Sequence, residues 1–113
     1  MIAQIETAGA LAEVEEIAAT PGLNELFIGP YDLSQALEIP GQVLDEKLLA
    51  AGRRVLAAAH ANGLEVSVFV NNDEAAKIWL EMGADALHYS ADTYLLAQVL
   101  KQTRDRLRGL AGN

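Results

Sequence analysis

The chain has 113 residues, and 51% of them are hydrophobic, which is enough apolar material for one folded domain and argues against wholesale disorder. Acidic residues outnumber basic residues 16 to 8, which argues against a nucleic-acid-binding surface. The absence of cysteine excludes disulfides and thiolate metal sites, and no apolar run approaches the roughly 20 residues that span a bilayer. The first residues do not resemble a signal peptide, so we expect a cytoplasmic protein in which residues 1–113 form a single domain.

Four short apolar runs predict β-strands, and a segment with helical spacing of apolar residues follows each of them. The predicted strands are Ile2–Ile5, Glu25–Ile28, Glu65–Val70 and Ala86–Tyr89. The predicted helices are residues 8–19 with Thr7 as the cap, a single turn within 32–37, residues 45–62, a helix capped by Asn72 or Asp73 that ends at Gly83, and a last helix that starts at Ser90 or Asp92.

The alternation of strands and helices predicts an α/β fold with four βα units and a parallel sheet. Because the strands are continuously apolar, we expect helices to cover the sheet on both faces. A closed parallel barrel has eight strands and usually about 250 residues. Four units therefore leave three possibilities, which are an open α/β domain, half of a barrel completed by a second copy, and a piece of a larger protein.

Two acidic residues follow neighbouring predicted strands. Glu6 comes directly after the first strand, and Asp32 lies just past the end of the second. If these strands are adjacent, the two carboxylates meet at one edge of the sheet, where oxygen ligands suit Mg²⁺ or Mn²⁺. The alternative is that both are ordinary loop acids, with Asp32 capping the turn after Pro30, and spacing alone favours this alternative.

The second strand ends in a turn that can approach a ligand closely. Gly29 has no side chain to keep a ligand away from the backbone, and the amides of the turn after Pro30 can receive an anion. A substrate carboxylate bound there could also reach a metal ion at Asp32. A Gly-Pro turn alone is a weak indication of such a site.

Two sequence strings carry a resemblance to a known family. Residues 4–7 (Gln-Ile-Glu-Thr) and 27–34 (Phe-Ile-Gly-Pro-Tyr-Asp-Leu-Ser) resemble the signature segments of the 4-hydroxy-2-oxoheptane-1,7-dioate (HpcH/HpaI) aldolases, which belong to the phosphoenolpyruvate/pyruvate barrel superfamily. Residues 79–84 and 92–96 also resemble that family, so the likeness covers essentially the whole chain. It implies the C-terminal half of a TIM (β/α)8 barrel.

The resemblance also implies a chemistry, that of a class II aldolase which cleaves or forms a carbon–carbon bond next to a pyruvate unit. Glu6 and Asp32 would be the ligands of a divalent metal ion, Mg²⁺, Mn²⁺ or Co²⁺. The residues implied in binding the 2-oxo acid are Gly29, Pro30, Tyr31, Asp32 and Phe69, the last as an apolar wall. Tyr31 stands where the family often has a smaller residue, and either alters the choice of acceptor aldehyde or simply packs.

The chain departs from the family in lacking its first four βα units, and with them the histidine of proton transfer and the arginine that polarises the keto oxygen. The two histidines present do not replace them. We expect His60 to be a surface or capping residue of a long helix, and His88 to be a half-buried, hydrogen-bonded residue of the core. No catalytic residue is assigned.

Three functions remain open on this basis. The first is the metal- and pyruvate-binding half of an aldolase, with weak or absent activity alone; the second is a non-catalytic metal and 2-oxo-acid-binding or assembly module; the third is an open α/β domain without a metal. A half-barrel exposes sheet edges and an apolar inner face, which predicts a homo-oligomer. The candidate contacts on the last helix, for which an intramolecular role is equally open, are Tyr94, Leu95 and Val99.

Overall fold

A computed structural model describes residues 1–112. The strands are β1 (Ile2–Ile5), β2 (Glu25–Ile28), β3 (Glu65–Val70) and β4 (Ala86–Tyr89), with the predicted boundaries. The helices are α1 (Ala8–Ala12), α2 (Val14–Ala18), α3 (Pro30–Ala36), α4 (Glu46–Ala61), α5 (Asp73–Met82) and α6 (Asp92–Leu110). The strands pair in the order β1-β2-β3-β4, and all pairs are parallel, which confirms the predicted α/β fold.

The sheet has one covered face and one open face. Side chains of one face, among them Ile5, Ile28 and Val68, are buried beneath the helices. The residues of the other face alternate with them, and Gln4 and His88 on that face are exposed. The prediction that helices cover both faces is therefore wrong, because α2, α4 and α5 all pack on the same side.

Capping residues determine where α4 and α5 begin, and a glycine ends α5. Asp45 caps α4 by accepting a hydrogen bond from the Lys47 amide at 2.8 Å, and Asn72 caps α5 by accepting from the Ala75 amide at 2.8 Å. Gly83 ends α5 in the left-handed conformation, with a φ of 103°. These capped helices place their apolar faces on β2 and β3 and so fix the covered side of the sheet.

Two helices differ from their predicted limits. The helix expected at residues 8–19 begins after its predicted cap, Thr7, but is interrupted at Glu13, where the backbone has a φ of −104° and a ψ of 18°. The break separates α1, which buries no residue, from α2, which buries Val14 and Ala18. The single turn expected within 32–37 is a longer helix that starts at Pro30, because proline is well suited to the first helical position.

The last helix, α6, extends away from the rest of the molecule. None of its 19 residues is buried, and the structure measures 60 × 28 × 23 Å. Its radius of gyration, 17.1 Å, exceeds the value of about 13 Å expected for a compact domain of this length. The apolar stripe of α6 thus faces solvent, and Tyr94, Leu95 and Val99 are exposed.

None of the described helices is a candidate membrane span. None within residues 1–112 combines the length and the apolar character needed to cross a bilayer.

A tight contact between α4 and α5 generates a stability prediction. Trp79 is 1% exposed, and a Cβ placed on Gly52 would lie 2.3 Å from its ring. We expect Gly52→Ala to lower the free energy of unfolding by about 1–3 kcal/mol, because overpacking outweighs the gain in helix propensity. Chemical denaturation measures the change. Gly109→Ala is the control, since no atom lies within 4 Å of its added Cβ, and equal stability of the two variants would contradict the prediction.

A carboxylate that joins α4 to the sheet generates a pH prediction. Oδ2 of Asp85 lies 2.9 Å from Nε2 of His60 and accepts the Val66 amide at 2.8 Å. The hydrogen bond with His60, and then that with Val66, lower the pKa of Asp85 below its ordinary value. A group with a lowered pKa in the folded state stabilises the protein at neutral pH, and this contribution is lost as the pH falls through the folded-state pKa.

We therefore expect Asp85→Asn to lower the melting temperature at pH 7 and to have a smaller effect at pH 3, as followed by circular dichroism. The control is Glu81→Gln, which removes an exposed pair with Lys77 at 3.8 Å and should change little at either pH. A loss of stability in Asp85→Asn that is the same at both pH values would show that the ionised carboxylate is not the stabilising group.

Candidate active site

The carboxyl ends of the four strands bring the polar residues after them to one edge of the sheet. The Gly29 amide donates to the Ile5 carbonyl at 3.3 Å, so β1 and β2 remain side by side where they end. The Ser90 amide likewise donates to the Val70 carbonyl at 2.6 Å. In parallel α/β folds this edge is where ligands bind.

Glu6 is held against the end of β2. Its Oε2 accepts a hydrogen bond from Nε2 of Gln4 at 2.6 Å. A Cβ on Gly29 would lie 3.4 Å from that carboxylate oxygen and 3.3 Å from the Gln4 amide nitrogen. A Cβ at position 29 would therefore be in contact with both side chains, and glycine leaves the space beside them open.

Asp32 is exposed in the first turn of α3, a helix that two other residues fix in place. Leu33 is fully buried. The Ser34 hydroxyl donates to the Tyr31 carbonyl at 2.6 Å and accepts the Gly41 amide at 2.9 Å. The backbone amides of Tyr31 and Asp32 point out of the start of the helix, where they have no carbonyl partner within it.

One cavity of about 280 Å³ collects the predicted substrate-binding residues. It is lined by Gln4, Phe27, Gly29, Pro30, Tyr31, Asp32 and Phe69. All five residues implied by the family resemblance are therefore brought together, while Glu6 lies beside the cavity, in contact with Gln4 and close to Gly29.

Gln4 and Phe27 were missed by the sequence prediction. Each stands two residues before a predicted site residue, Glu6 or Gly29, and so shares its face of the strand. This period of two could have identified them.

Carboxylate oxygens are the kind of ligand that a hard divalent cation prefers. Glu6 and Asp32 supply carboxylate oxygens beside one cavity, and within residues 1–112 there is no group of three or more histidine, cysteine or acidic residues that could hold a metal ion. Two protein ligands are compatible with Mg²⁺ or Mn²⁺, which keep several positions for water and substrate. Gly29 leaves the space beside the Glu6 carboxylate open, because a side chain there would begin 3.4 Å from its Oε2.

Tyr31 connects this cavity to the end of β3. Its hydroxyl accepts a hydrogen bond from Nδ2 of Asn71 at 2.5 Å, and its ring meets that of Phe69 edge-on, with the centroids 6.2 Å apart. Nearby, the Tyr89 hydroxyl donates to Oδ1 of Asp73 at 2.7 Å, and this bond raises the pKa of Tyr89. Two tyrosine hydroxyls therefore lie at this edge of the sheet, and each has a hydrogen-bond partner, Asn71 for Tyr31 and Asp73 for Tyr89.

The two histidines lie outside the cavity. His60 lies on the surface, as predicted, and it forms a hydrogen bond with Asp85 there. His88 is exposed, and its ring meets that of Phe27 edge-on at 4.8 Å. The prediction of a half-buried core position for His88 is wrong because its side chain projects from the open face of the sheet. No histidine or arginine lines the cavity among the described residues.

Comparisons with known proteins identify the family of this chain. The family of HpcH/HpaI aldolase/citrate lyase proteins matches residues 1–98. A hydroxypyruvate/pyruvate aldolase of Paraburkholderia phytofirmans is 35% identical over 107 residues, which are 95% of this chain and 41% of that protein. A 4-hydroxy-2-oxo-heptane-1,7-dioate aldolase of Escherichia coli is 31% identical over 98 residues, which are 87% of this chain and 37% of that protein.

A solved structure extends the likeness to the fold. An HpcH/HpaI aldolase/citrate lyase family protein from Burkholderia cenocepacia superposes with a TM-score of 0.90 and 37% identity over 95% of this chain and 42% of that one. The chain thus spans about two fifths of the length of the relatives that it matches. On the family match, the sequence identities and the superposition, the chain belongs to the HpcH/HpaI aldolase/citrate lyase family.

Proposed function

We propose that this chain is the metal- and 2-oxo-acid-binding part of a class II aldolase that acts on pyruvate-derived 4-hydroxy-2-oxo acids. The observation that carries the proposal is the cavity at the ends of β1 and β2, where Gly29 leaves space beside the Glu6 carboxylate. Family membership and the names of the aldolase relatives support the same chemistry. A single domain and a cytoplasmic location are part of this proposal.

Each group beside the cavity has a role in the proposal. Glu6 and Asp32 hold Mg²⁺ or Mn²⁺, or Co²⁺ in their place. When bound, the cation acts as a Lewis acid toward the carboxylate and keto oxygens of the substrate. The backbone of residues 29–32 binds the carboxylate of the 2-oxo acid, and Phe69 forms an apolar wall next to its methyl group.

The reaction itself needs a proton acceptor and donor. In the cleavage direction the bond between C3 and C4 breaks, the C4 hydroxyl loses its proton and C3 gains one, which yields an aldehyde and a 2-oxo acid. No histidine or arginine among the described residues lines the cavity. We therefore propose that residues 1–113 alone have at most weak activity, and that these groups come from elsewhere in a complete barrel.

The second candidate function is a non-catalytic module that binds a metal ion and a 2-oxo acid without converting it. The same absence of a histidine or an arginine from the described cavity lining favours this candidate. The two candidates share the binding site and differ only in turnover, so an assay of 4-hydroxy-2-oxo acid cleavage distinguishes them.

The binding site generates a metal-dependence prediction. We expect oxalate, a stable analogue of the pyruvate carboxylate and keto group, to bind the chain in a calorimetric titration only when Mn²⁺ is present. Asp32→Asn should weaken this binding by at least about tenfold, because even outer-shell partners of a metal site contribute that much. The control is Glu38→Gln, an exposed acid just past the end of the same helix, which should bind oxalate like the original chain.

Binding of oxalate that is equally strong without Mn²⁺, or that survives Asp32→Asn unchanged, would refute the proposed metal site. Melting temperatures measured with and without Mn²⁺ give an independent readout, since a cation that binds only the folded state raises stability.

We also propose that the protein is a homo-oligomer that assembles through α6. The helix exposes an apolar stripe formed by Leu96, Leu100, Leu107 and Leu110. It carries four of the eight basic residues of the chain and only two of the 16 acidic ones, so its charge is opposite to that of the remainder. A second copy therefore offers α6 an acidic surface as well as apolar contacts.

The exposed stripe generates an assembly prediction. We expect light scattering after size-exclusion chromatography to give at least twice the monomer mass of 12.1 kDa. The double substitution Leu96→Ser with Leu100→Ser should shift the mass to that of the monomer, because it removes two apolar contacts. The control is Gln98→Ser with Gln102→Ser on the polar side of the same helix, which should leave the mass unchanged. A monomer at all concentrations of the original chain would overturn the proposal.

A further inference from the structure

A second cavity adjoins the proposed 2-oxo-acid site. It has a volume of about 450 Å³ and is lined by Tyr31, Phe69, Asn71 and Tyr94. Tyr31 and Phe69 also line the first cavity, so these two rings form a wall that both cavities share. The binding of a metal ion and a 2-oxo acid leaves this second space unused.

Side-chain hydrogen bonds hold the wall and the polar end of the second cavity in place. Nδ2 of Asn71 donates to the Tyr31 hydroxyl, and Oδ1 of Asn71 accepts from Nδ2 of Asn72 at 3.1 Å. Oδ1 of Asn72 in turn accepts the Ala75 amide at 2.8 Å at the start of α5. Tyr31 is therefore connected through two amides to a capped helix, and its ring is further restrained by contact with Phe69.

The lining of the second cavity indicates which molecules it suits. Three of its four residues are aromatic, the fourth is an amide, and none is charged. The Tyr31 hydroxyl accepts the Asn71 amide, so its own proton remains available for donation to an oxygen of a ligand. A neutral molecule with one oxygen and an apolar or aromatic body matches this arrangement. The volume lies within the usual range of small-molecule sites, about 300–1,000 Å³.

The second cavity adjoins the 2-oxo-acid site, which is where the reaction partner of the 2-oxo acid has to bind. An aldolase must bring the aldehyde carbon next to C3 of the 2-oxo acid, and a site that shares a wall with the 2-oxo-acid site meets this need. We propose that the second cavity binds the aldehyde, that it favours neutral aldehydes with an aromatic or apolar chain over anionic ones, and that Tyr31 and Tyr94 determine this specificity. This inference rests on the proposed function.

Binding of unreactive alcohols tests the inference without turnover. Benzyl alcohol replaces a neutral aromatic aldehyde, and 4-hydroxybutanoate replaces an anionic semialdehyde. Both are titrated into the full chain, saturated with oxalate and with Mg²⁺, which is diamagnetic, while the side-chain amide signal of Asn71 is followed by NMR. We expect benzyl alcohol to shift this signal and to bind at least about tenfold more tightly than 4-hydroxybutanoate, because the carboxylate of the latter finds no cationic partner among the lining residues.

Substitutions connect this binding to the proposed residues. Tyr94→Ala should weaken benzyl alcohol binding by about three- to tenfold, the usual effect of losing one aromatic contact. Tyr31→Phe keeps the ring and removes the hydroxyl, so it should weaken benzyl alcohol but leave toluene unaffected. The control is Gln98→Ala, on the same helix as Tyr94 but outside both cavities, which should change neither affinity.

The outcomes separate this inference from the proposed function. If oxalate binds with Mn²⁺ but benzyl alcohol is insensitive to Tyr94→Ala, or 4-hydroxybutanoate binds as tightly, the aldehyde site is refuted and the 2-oxo-acid site stands. If oxalate fails to bind, the proposed function is overturned and the aldehyde assignment falls with it, whatever the alcohols do.

Discussion

The close approach of β1 and β2 at their carboxyl ends is the constraint on which the candidate site depends. Gly29 donates its amide to Ile5 and, without a side chain, leaves Gln4 and Glu6 space to bond with each other above it. α3 begins at the next residue, so the position of Asp32 follows from the position of Gly29. One backbone contact therefore determines how Glu6, which follows β1, and Asp32, in the first turn of α3, lie beside the same cavity.

The strands and most helix limits could be predicted because local chemistry determines them. Apolar runs bounded by proline, glycine and capping residues mark each strand and the ends of α4 and α5, as at Asn72 and Gly83. The break at Glu13 and the side of the sheet that the helices cover depend on packing between distant segments. A continuously apolar strand looks the same whether one face or both are covered, and His88 was misplaced for that reason.

The residues of the candidate site that lie in continuous sequence segments could be predicted from the sequence. Residues 29–32 and Glu6 belong to segments that resemble the family, and Phe69 stands where that resemblance implies an apolar wall. The partner of the Tyr31 hydroxyl, Asn71, could not be predicted, since 40 residues separate the two and only the sheet brings them together. The second cavity, which depends on that pairing and on Tyr94, was for the same reason absent from the sequence prediction.

The burial of Trp79 against Gly52 has a practical consequence for spectroscopy. It is the only tryptophan of the chain, it is shielded from water, and it lines none of the cavities at the carboxyl ends of the strands. Indole emission therefore reports on the contact between α4 and α5 and not on the lining of these cavities. Unfolding can therefore be followed through the indole in samples with and without a ligand, because the ring does not line the cavities in which the ligand would bind.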